Sequence, residues 1–303
     1  MDKRKRGIAL FITLMVIASI MSIIAVSFSY LEKVRKDAGT TSAILQGNLL
    51  HKNTVNILKS QFPKGKDNSE KLKILYTTPL PLSEPKSGFR LMLSCKPLMI
   101  GVPIGWLDSL DGTVTNKKSL AREVLASVME RYDVQEPNEL ERLIMGATTG
   151  RVLQNEDDAP RISSKKGIFS KRQFYRIVSD YRLLFDDPKV LSIPWDHYFA
   201  FTKVDKKTKI DGAYLTPEFI SVAFEVPLEI VQESWIFGES TLESFLSENS
   251  LTNPYKGKKI FSNKALNAMH CEETYAYRDG QYKMNFDYIK GRSGNFEFNG
   301  KAE

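Results

Sequence analysis

The side chains that most often perform chemistry in proteins are scarce in this chain, which has three histidines and two cysteines among 303 residues. Cys271 could act as a nucleophile with a histidine as its base, but the adjacent His270 cannot readily turn onto it. The sequence contains no glycine-rich phosphate loop, no zinc-type cysteine pair and no His-Glu-x-x-His motif. The sequence therefore predicts that the protein is not an enzyme.

Acidic residues in the middle of the chain are the candidates for a calcium site. Asp157, Asp158 and Asp187 lie in loop-rich segments, and their hard oxygen atoms suit calcium. EF-hand spacing is absent, and acidic pairs more often cap helices or lie solvated in loops. Asp186-Asp187-Pro188 in particular is typical of a helix start. A calcium site and solvated loop residues thus both stay open, and no other cofactor is predicted.

The two cysteines, Cys95 and Cys271, lie far apart in the sequence. If their domain is exported, an oxidising compartment permits a disulfide between them. The alternative is two buried free thiols, and the distance between the two residues in the fold decides between these states.

The first 31 residues carry the strongest pattern in the chain. Four cations, Lys3 to Arg6, precede Gly7, and an apolar run without charge extends from Ile8 to Leu31. This run exceeds the roughly 20 residues of helix that a bilayer core needs. Its hydroxyl groups can hydrogen-bond back to the helix, so none prevents insertion. The cations predict a single pass through a membrane with residues 1–7 in the cytoplasm, so that everything after Tyr30 is exported.

Apolar residues continue at roughly helical spacing beyond the membrane run, from Leu31 to Leu58. Gly39 and Gly47 are soft positions, whereas Pro63-Lys64-Gly65 is the first firm terminator. One helix over residues 8–61 would be about 80 Å long. The alternative is a membrane helix followed by a separate helix, with a break near Gly39.

Beyond residue 62 the patterns predict strands, then helices, then strands. Residues 73–77 and 89–95 have the composition of strands, separated by a proline-rich turn. Helical spacing follows in residues 120–132 and 140–145, and Ser170 and Thr216 are expected to cap two further helices.

The carboxyl-terminal region is predicted to be a set of strands. Asp279-Gly280 separates two alternating runs and indicates a tight hairpin turn. Phe296 and Phe298 indicate a short final strand.

The amino-terminal pattern resembles the leader of type IV pilins and type II secretion pseudopilins, in which a basic peptide is cut after a glycine. The resemblance implies that a prepilin peptidase cuts between Gly7 and Ile8, and that Ile8 is N-methylated. Most members have a glutamate at the fifth residue after the cut, which in this chain is Ile12. Within type II secretion systems, the lack of this glutamate is typical of the large minor pseudopilin called the K protein.

The predicted fold class is α+β. A long amino-terminal helix packs on an antiparallel sheet, and a large helical domain is inserted between the two halves of the sheet, which is also what the K-type resemblance implies. The predicted parts are a leader at residues 1–7, the transmembrane and periplasmic halves of the long helix at 8–31 and 32–62, pilin-like strands at 63–115, the inserted helical domain at 116–256 and the last strands at 257–303.

The resemblance implies a minor pseudopilin that initiates and caps the pseudopilus for protein export across the outer membrane. Its partners would be other minor pseudopilins at the filament tip, the prepilin peptidase, the inner-membrane assembly platform and the lipid bilayer. Nucleic acid is not expected, because no run of basic residues alternates with aromatic residues despite the net charge of +7. Two alternatives stay open: a minor pilin of a type IV or competence pilus for DNA uptake, and a signal-anchored periplasmic domain unrelated to filaments.

Overall fold

The computed structural model describes residues 3–63, 65–83, 90–108, 116–150, 167–205, 207–277 and 280–301. Within these ranges the chain order is α1 (Lys3–Gln61), α2 (Ser69–Thr77), β1 (Leu80–Ser83), β2 (Arg90–Pro97), β3 (Val102–Pro103), α3 (Asn116–Arg131), α4 (Pro137–Thr149), α5 (Lys171–Phe185), α6 (Trp195–Tyr198), β4 (Phe199–Ala200), α7 (Pro217–Ala223), α8 (Leu228–Ser234), α9 (Leu242–Glu248), β5 (Ala268–Tyr277), β6 (Gly280–Ile289) and β7 (Arg292–Lys301).

The helix α1 is continuous from Lys3 to Gln61, so the prediction of one long helix is confirmed and the alternative break near Gly39 is wrong. The helix ends two residues before Pro63, which cannot donate a backbone hydrogen bond. Its first half is exposed, and its second half lies on a sheet. One continuous helix therefore connects the exposed apolar surface of its first half to the packed core under its second half.

The sheet on which α1 lies has the strand order β1-β2-β5-β6-β7, and each neighbouring pair is antiparallel. Strands β2 and β5 are hydrogen-bonded neighbours, although the whole of α3 to α9 lies between them in the sequence. The predicted insertion of a helical region between two parts of an antiparallel sheet is thus confirmed.

The second half of α1 approaches the sheet most closely at Gly47. A Cβ atom at this position would lie 2.6 Å from Tyr275 Oη and 2.7 Å from Met284 Sδ. Tyr275 Oη donates a 2.6 Å hydrogen bond to the carbonyl of Ala43, one helical turn earlier. Only glycine therefore leaves enough room for β5 and β6 to meet α1 in this register.

Glu273 is buried in the same interface between α1 and the sheet. It alternates along β5 with Cys271 and Tyr275, which are also buried, and its side chain is fully shielded from solvent. The hydroxyl of Thr54 on α1 is nearby, but no hydrogen bond of ordinary geometry joins the two groups. Burial raises the pKa of Glu273 to about 7, because the Thr54 hydroxyl offsets only part of the desolvation.

The region between β2 and β5 has its own hydrophobic core, separate from the core under α1. This inserted core includes Trp106, which lies in the 3₁₀ turn Ile104–Asp108 upstream of residue 116. It also includes Ile260, downstream of residue 256. The inserted core thus extends past residues 116–256 at both ends.

Asp211 connects the inserted core to the segments that lead to and from the sheet. Its backbone N–H donates to the carbonyl of Met99 at 2.9 Å. Its carboxylate accepts hydrogen bonds from the N–H groups of Leu266 at 2.7 Å and Ala213 at 3.1 Å. Burial raises the pKa of Asp211 to about 7, although both backbone hydrogen bonds lower it. One buried acidic residue therefore links the segment before the inserted core, at Met99, to the segment after it, at Leu266.

The predicted strand at residues 73–77 is wrong, because these residues belong to helix α2. Leu72 and Leu75 are buried, whereas Ile74 is 66% exposed, and this three-residue spacing marks one face of a helix. A run of five mostly apolar residues fits a strand or a helix equally well by periodicity. The contacts that decide the outcome come from elsewhere in the fold, chiefly from β2.

The predicted helix caps are confirmed at both positions. Ser170 Oγ accepts a hydrogen bond from the N–H of Gln173, whose side chain in turn accepts from the N–H of Ser170. Thr216 Oγ1 accepts from the N–H of Phe219, and Pro217 occupies the first helical position. These local patterns determine where α5 and α7 begin.

The strand predicted at residues 89–95 is confirmed as β2, and the carboxyl-terminal hairpin is confirmed as β5 and β6. The position of its turn differs from the prediction, because Gly280 lies within β6 and pairs with Tyr277. Asp279 lies outside the described residues. The last strand, β7, has 10 residues and is therefore longer than the aromatic pair alone indicates.

Gly47→Ala should destabilise the protein, whereas Gly39→Ala should stabilise it. Both substitutions replace glycine with a better helix former, which should stabilise α1 by about 1 kcal/mol in each case. A Cβ at Gly39 has no atom within 4 Å, whereas a Cβ at Gly47 would clash with Tyr275 and Met284. We expect overpacking to cost about 1–3 kcal/mol. Denaturant unfolding of the full chain in detergent micelles measures both values, and equal shifts of the same sign would contradict the close approach.

Glu273→Gln should change how stability depends on pH. Glu273 ionises near 4.5 in the unfolded chain but near 7 in the fold, so in this window the folded state binds more protons. Stability therefore falls as the pH rises through the window. At about pH 5 the variant and the unaltered protein should be similarly stable, and at about pH 8 the variant should have an unfolding constant about tenfold or more lower.

Glu272→Gln is the matched control for this measurement. Glu272 neighbours Glu273 on β5 but is partly exposed and paired with Lys283 at 3.0 Å. Its substitution should leave the pH dependence between about 5 and 8 unchanged. If the free energies of unfolding of Glu273→Gln and the unaltered protein differed by the same amount at both pH values, Glu273 would ionise at its ordinary pKa.

Candidate functional site

The first half of α1 is the largest exposed apolar surface among the described residues. Its large apolar side chains between Phe11 and Leu31 are all about half exposed or more, and no described part of the chain packs on them. This segment is also the one described helix that is long and apolar enough to cross a membrane. Such a surface needs lipid or the surface of another protein as its surroundings.

Three serine hydroxyl groups within this apolar half are satisfied by the helix itself. Ser19, Ser22 and Ser27 each donate to the carbonyl four residues earlier, at 2.8–2.9 Å. These three hydroxyl groups therefore need no partner outside the helix, as the sequence predicted for a membrane segment. The surface of this half of α1 consequently presents apolar side chains and few polar groups to its surroundings.

The residues of the expected cleavage site lie at the start of α1. The backbone of Gly7 and Ile8 is helical, and the side chain of Ile8 lies outside the described part. Ile12, at the position where pilins usually have a glutamate, is 55% exposed on the apolar surface. Position five after Gly7 thus presents an aliphatic side chain to its surroundings.

A disulfide joins Cys95 to Cys271, and both residues are buried. The two residues are direct partners across β2 and β5, the strands that flank the inserted region. The bond therefore closes the inserted region at its base, and no thiol of Cys271 is left to act as a nucleophile.

The calcium candidates are not gathered into a site within the described residues. Asp187 is buried, and its two carboxylate oxygens accept from the N–H groups of Lys189 and Gln135, both at 3.1 Å. It caps the 3₁₀ turn Pro188–Leu191, as expected for a helix start. Asp157 and Asp158 lie outside the described residues. No group of three or more potential metal ligands occurs within the described part of the chain.

The histidines do not form a shared site with a nucleophile. Each contacts a different polar side chain, in the pairs His51–Ser293 at 3.3 Å, His197–Glu218 at 3.2 Å and His270–Asp287 at 2.8 Å. The pKa of His51 is lowered by burial. His270 and Cys271 point to opposite faces of β5, since consecutive strand residues alternate.

Two structural features have no signal in the local sequence. Glu273 is buried because of its register opposite α1, and an acidic residue in an alternating strand would ordinarily be assigned to the exposed face. Lys203 and Lys207 line the same cleft as the turn between β6 and β7, which lies more than 80 residues later in the chain. Only the positions of the strands bring such residues together.

Comparison with known proteins gives a match at the level of structure. No family model and no curated protein sequence matches the chain. A chain from the crystal structure of the GspK–GspI–GspJ complex of the enterotoxigenic Escherichia coli Type 2 Secretion System does match. The TM-score is 0.57 at 12% sequence identity, and the match covers 89% of this chain and 99% of that chain. The chain has a pseudopilin-like fold.

The likeness includes the inserted region as well as the long helix and the sheet. The segment between β2 and β5 makes up more than half of the chain, so a match that covers 89% must include most of it. The resemblance that was inferred from the first 31 residues is therefore confirmed, in fold, by the parts of the chain that carried no family motif.

Replacing both cysteines, as in Cys95→Ala with Cys271→Ala, should destabilise the protein. The bond closes a loop with a sequence separation of 176 residues, and its loss should lower the free energy of unfolding by about 2–5 kcal/mol. Denaturant unfolding with and without a reducing agent measures this loss. Reduction should weaken the unaltered protein and leave the double variant unchanged, and equal responses of the two would contradict a structural disulfide.

Proposed function

We propose that this chain is a minor pseudopilin of a type II secretion-like system, which initiates and caps the pseudopilus at its tip. The observation that carries the proposal is the match over 89% of the chain to a protein of the GspK–GspI–GspJ complex. The exposed apolar half of α1 supports it, because a filament subunit must present such a surface after it leaves the lipid.

Processing at the amino terminus is the first step of the proposed function. The cations from Lys3 to Arg6 hold the leader in the cytoplasm, and a prepilin peptidase cuts between Gly7 and Ile8. Ile8 becomes the N-methylated first residue. With Ile12 at position five, the subunit has no carboxylate there to meet the amino terminus of a neighbour, which suits a subunit at the tip.

Assembly is an exchange of surroundings for the apolar half of α1. In lipid, the hydrophobic effect does not drive helices together, so close packing of side chains decides their association. Because Ser19, Ser22 and Ser27 are already bonded within α1, the helix can pass from lipid to neighbouring helices without losing hydrogen bonds. The inner-membrane assembly platform would guide this exchange, and other minor pseudopilins would provide the neighbouring helices.

The inserted region gives a physical reason why the pseudopilus stops growing at this subunit. It emerges between β2 and β5 and adds a second core to the core under α1. A further subunit added above the inserted region could not reach α1 of this subunit to pack against it. In this proposal the protein works by packing and not by catalysis.

The proposed location is the inner membrane, with a single pass and the globular part in the periplasm. Two features support this orientation. Basic residues precede the apolar run, and the disulfide between Cys95 and Cys271 requires an oxidising compartment.

Mass spectrometry of the protein from its native host should find N-methylated Ile8 as the first residue. Gly7→Val should leave the leader attached, because the peptidase needs the small residue before the cut. Ala9→Val changes an adjacent apolar position and should be processed normally. An unaltered protein that still begins at Met1 would contradict the proposal and support a simple membrane anchor.

A deletion strain separates export from DNA uptake. Loss of protein export that is restored by the unaltered chain, but not by Gly7→Val, is the expected result. Normal export with loss of transformation would favour the competence pilus instead.

A further inference from the structure

A cleft of about 600 Å³ lies between residues 202–205 and 207–209 on one side and the turn that joins β6 to β7 on the other. Five cationic residues line it, and we call it the basic cleft. These residues are Lys203, Lys207, Lys209, Lys290 and Arg292.

The positive charge of the basic cleft is only partly balanced. Among the described lining residues there are two carboxylates and five cations, which gives a net charge of +3. Asp287 is buried and already bonded to His270 at 2.8 Å and to Asn295 at 2.6 Å. Asp205 accepts hydrogen bonds from its own loop, at Lys207 and Thr208. None of the five cations forms an ion pair within 4.0 Å of another described residue, although Lys290 lies close enough to attract Asp205 across the cleft.

The turn between β6 and β7 holds two of these cations in place. Ile289 pairs with Arg292, so Lys290 and Gly291 form a two-residue turn, and both have positive φ angles of 48° and 88°. The N–H of Lys290 donates to the carbonyl of Asn267 at 2.8 Å, which anchors the turn. Such tight turns usually have Asn-Gly or Asp-Gly, so a lysine here places a charge at the rim where a neutral or acidic residue is usual.

The rest of the lining identifies the kind of ligand. Met99, Leu266 and Ile289 give the cleft an apolar floor beneath the cationic rim. No aromatic ring is among the described residues that line it, and these residues therefore offer the bases of single-stranded nucleic acid no surface for stacking. Aliphatic and acidic side chains on one extended peptide would match both the floor and the rim.

The basic cleft also lies far from the proposed bilayer. Asn267, which anchors the turn, accepts a 3.2 Å hydrogen bond from Asn68, shortly after the end of α1 at Gln61. Ser293, which also lines the cleft, lies 3.3 Å from His51, and His51 is about 30 Å along the helix from Leu31 at 1.5 Å per residue. Anionic lipid headgroups are therefore out of reach.

We propose that the basic cleft binds an acidic, partly aliphatic segment of another protein. The proposal goes beyond the filament role and does not depend on it, because the cleft lies entirely within the folded globular part. Charge complementarity selects the segment, and the apolar floor favours peptides over simple anions.

Fluorescence anisotropy with a labelled peptide of alternating Glu and Leu tests the proposal on the full chain in detergent micelles. Binding should weaken as salt increases. Lys203→Glu with Lys290→Glu should weaken it by about tenfold or more, because both residues are exposed cations at the rim.

Arg176→Glu with Arg182→Glu is the matched control, since it reverses two exposed charges on α5 outside the cleft. It should change binding by less than about twofold. Circular dichroism should show that both double variants remain folded. Equal weakening by the two pairs would overturn the proposal in favour of diffuse attraction, as would a lack of binding.

Two further probes separate the alternatives. A labelled oligonucleotide that binds more tightly than the peptide would assign the cleft to nucleic acid and overturn the proposal. A matched peptide of alternating Lys and Leu should not bind, and equal binding would show that charge does not select the ligand. Neither outcome bears on cleavage at Gly7, so failure here is distinct from failure of the filament role.

Discussion

The architecture depends on the contact between one helix and one sheet. The helix α1 has a first half that no described part of the chain covers, and a second half that must hold the globular part in place. The contact at Gly47 makes this possible, because β5 and β6 approach the helix backbone itself. The hydrogen bond from Tyr275 to Ala43 fixes the rotation of the helix about its axis. The direction of the apolar surface relative to the sheet follows from that rotation.

The sheet in turn determines the position of the inserted region. Strands β2 and β5 are neighbours, so the inserted core begins and ends at almost the same place. The bond between Cys95 and Cys271 closes this base, and the carboxylate of Asp211 links the connecting segments above it. The inserted core and the core under α1 are thus joined through a few residues. Each of these residues helps to determine the position of the whole inserted region.

Much of the fold could be predicted from the sequence because its determinants are local. The long helix follows from the apolar spacing through Leu58, and the starts of α5 and α7 follow from Ser170 with Gln173 and from Thr216 with Pro217. Here each signal lies within a few residues of the feature that it determines.

Features that arise from contacts between distant segments could not be predicted in this way. Residues 73–77 form a helix because of their neighbours in the fold, and their own pattern fits a strand as well. Glu273 is buried because of its register opposite Thr54, and Lys203 and Lys290 share a cleft only because a loop of the inserted region lies beside a turn of the sheet. For the candidate site, the apolar half of α1 was visible in the sequence and the basic cleft was not.

The position of the disulfide has a mechanical consequence. When the ends of the chain are pulled apart, tension along the backbone reaches Cys95, crosses the sulfur atoms to Cys271, and continues into β5. The many residues between the two cysteines lie outside this load path. The inserted region would therefore keep its shape while the rod and the sheet are under strain, as a side branch that carries no force.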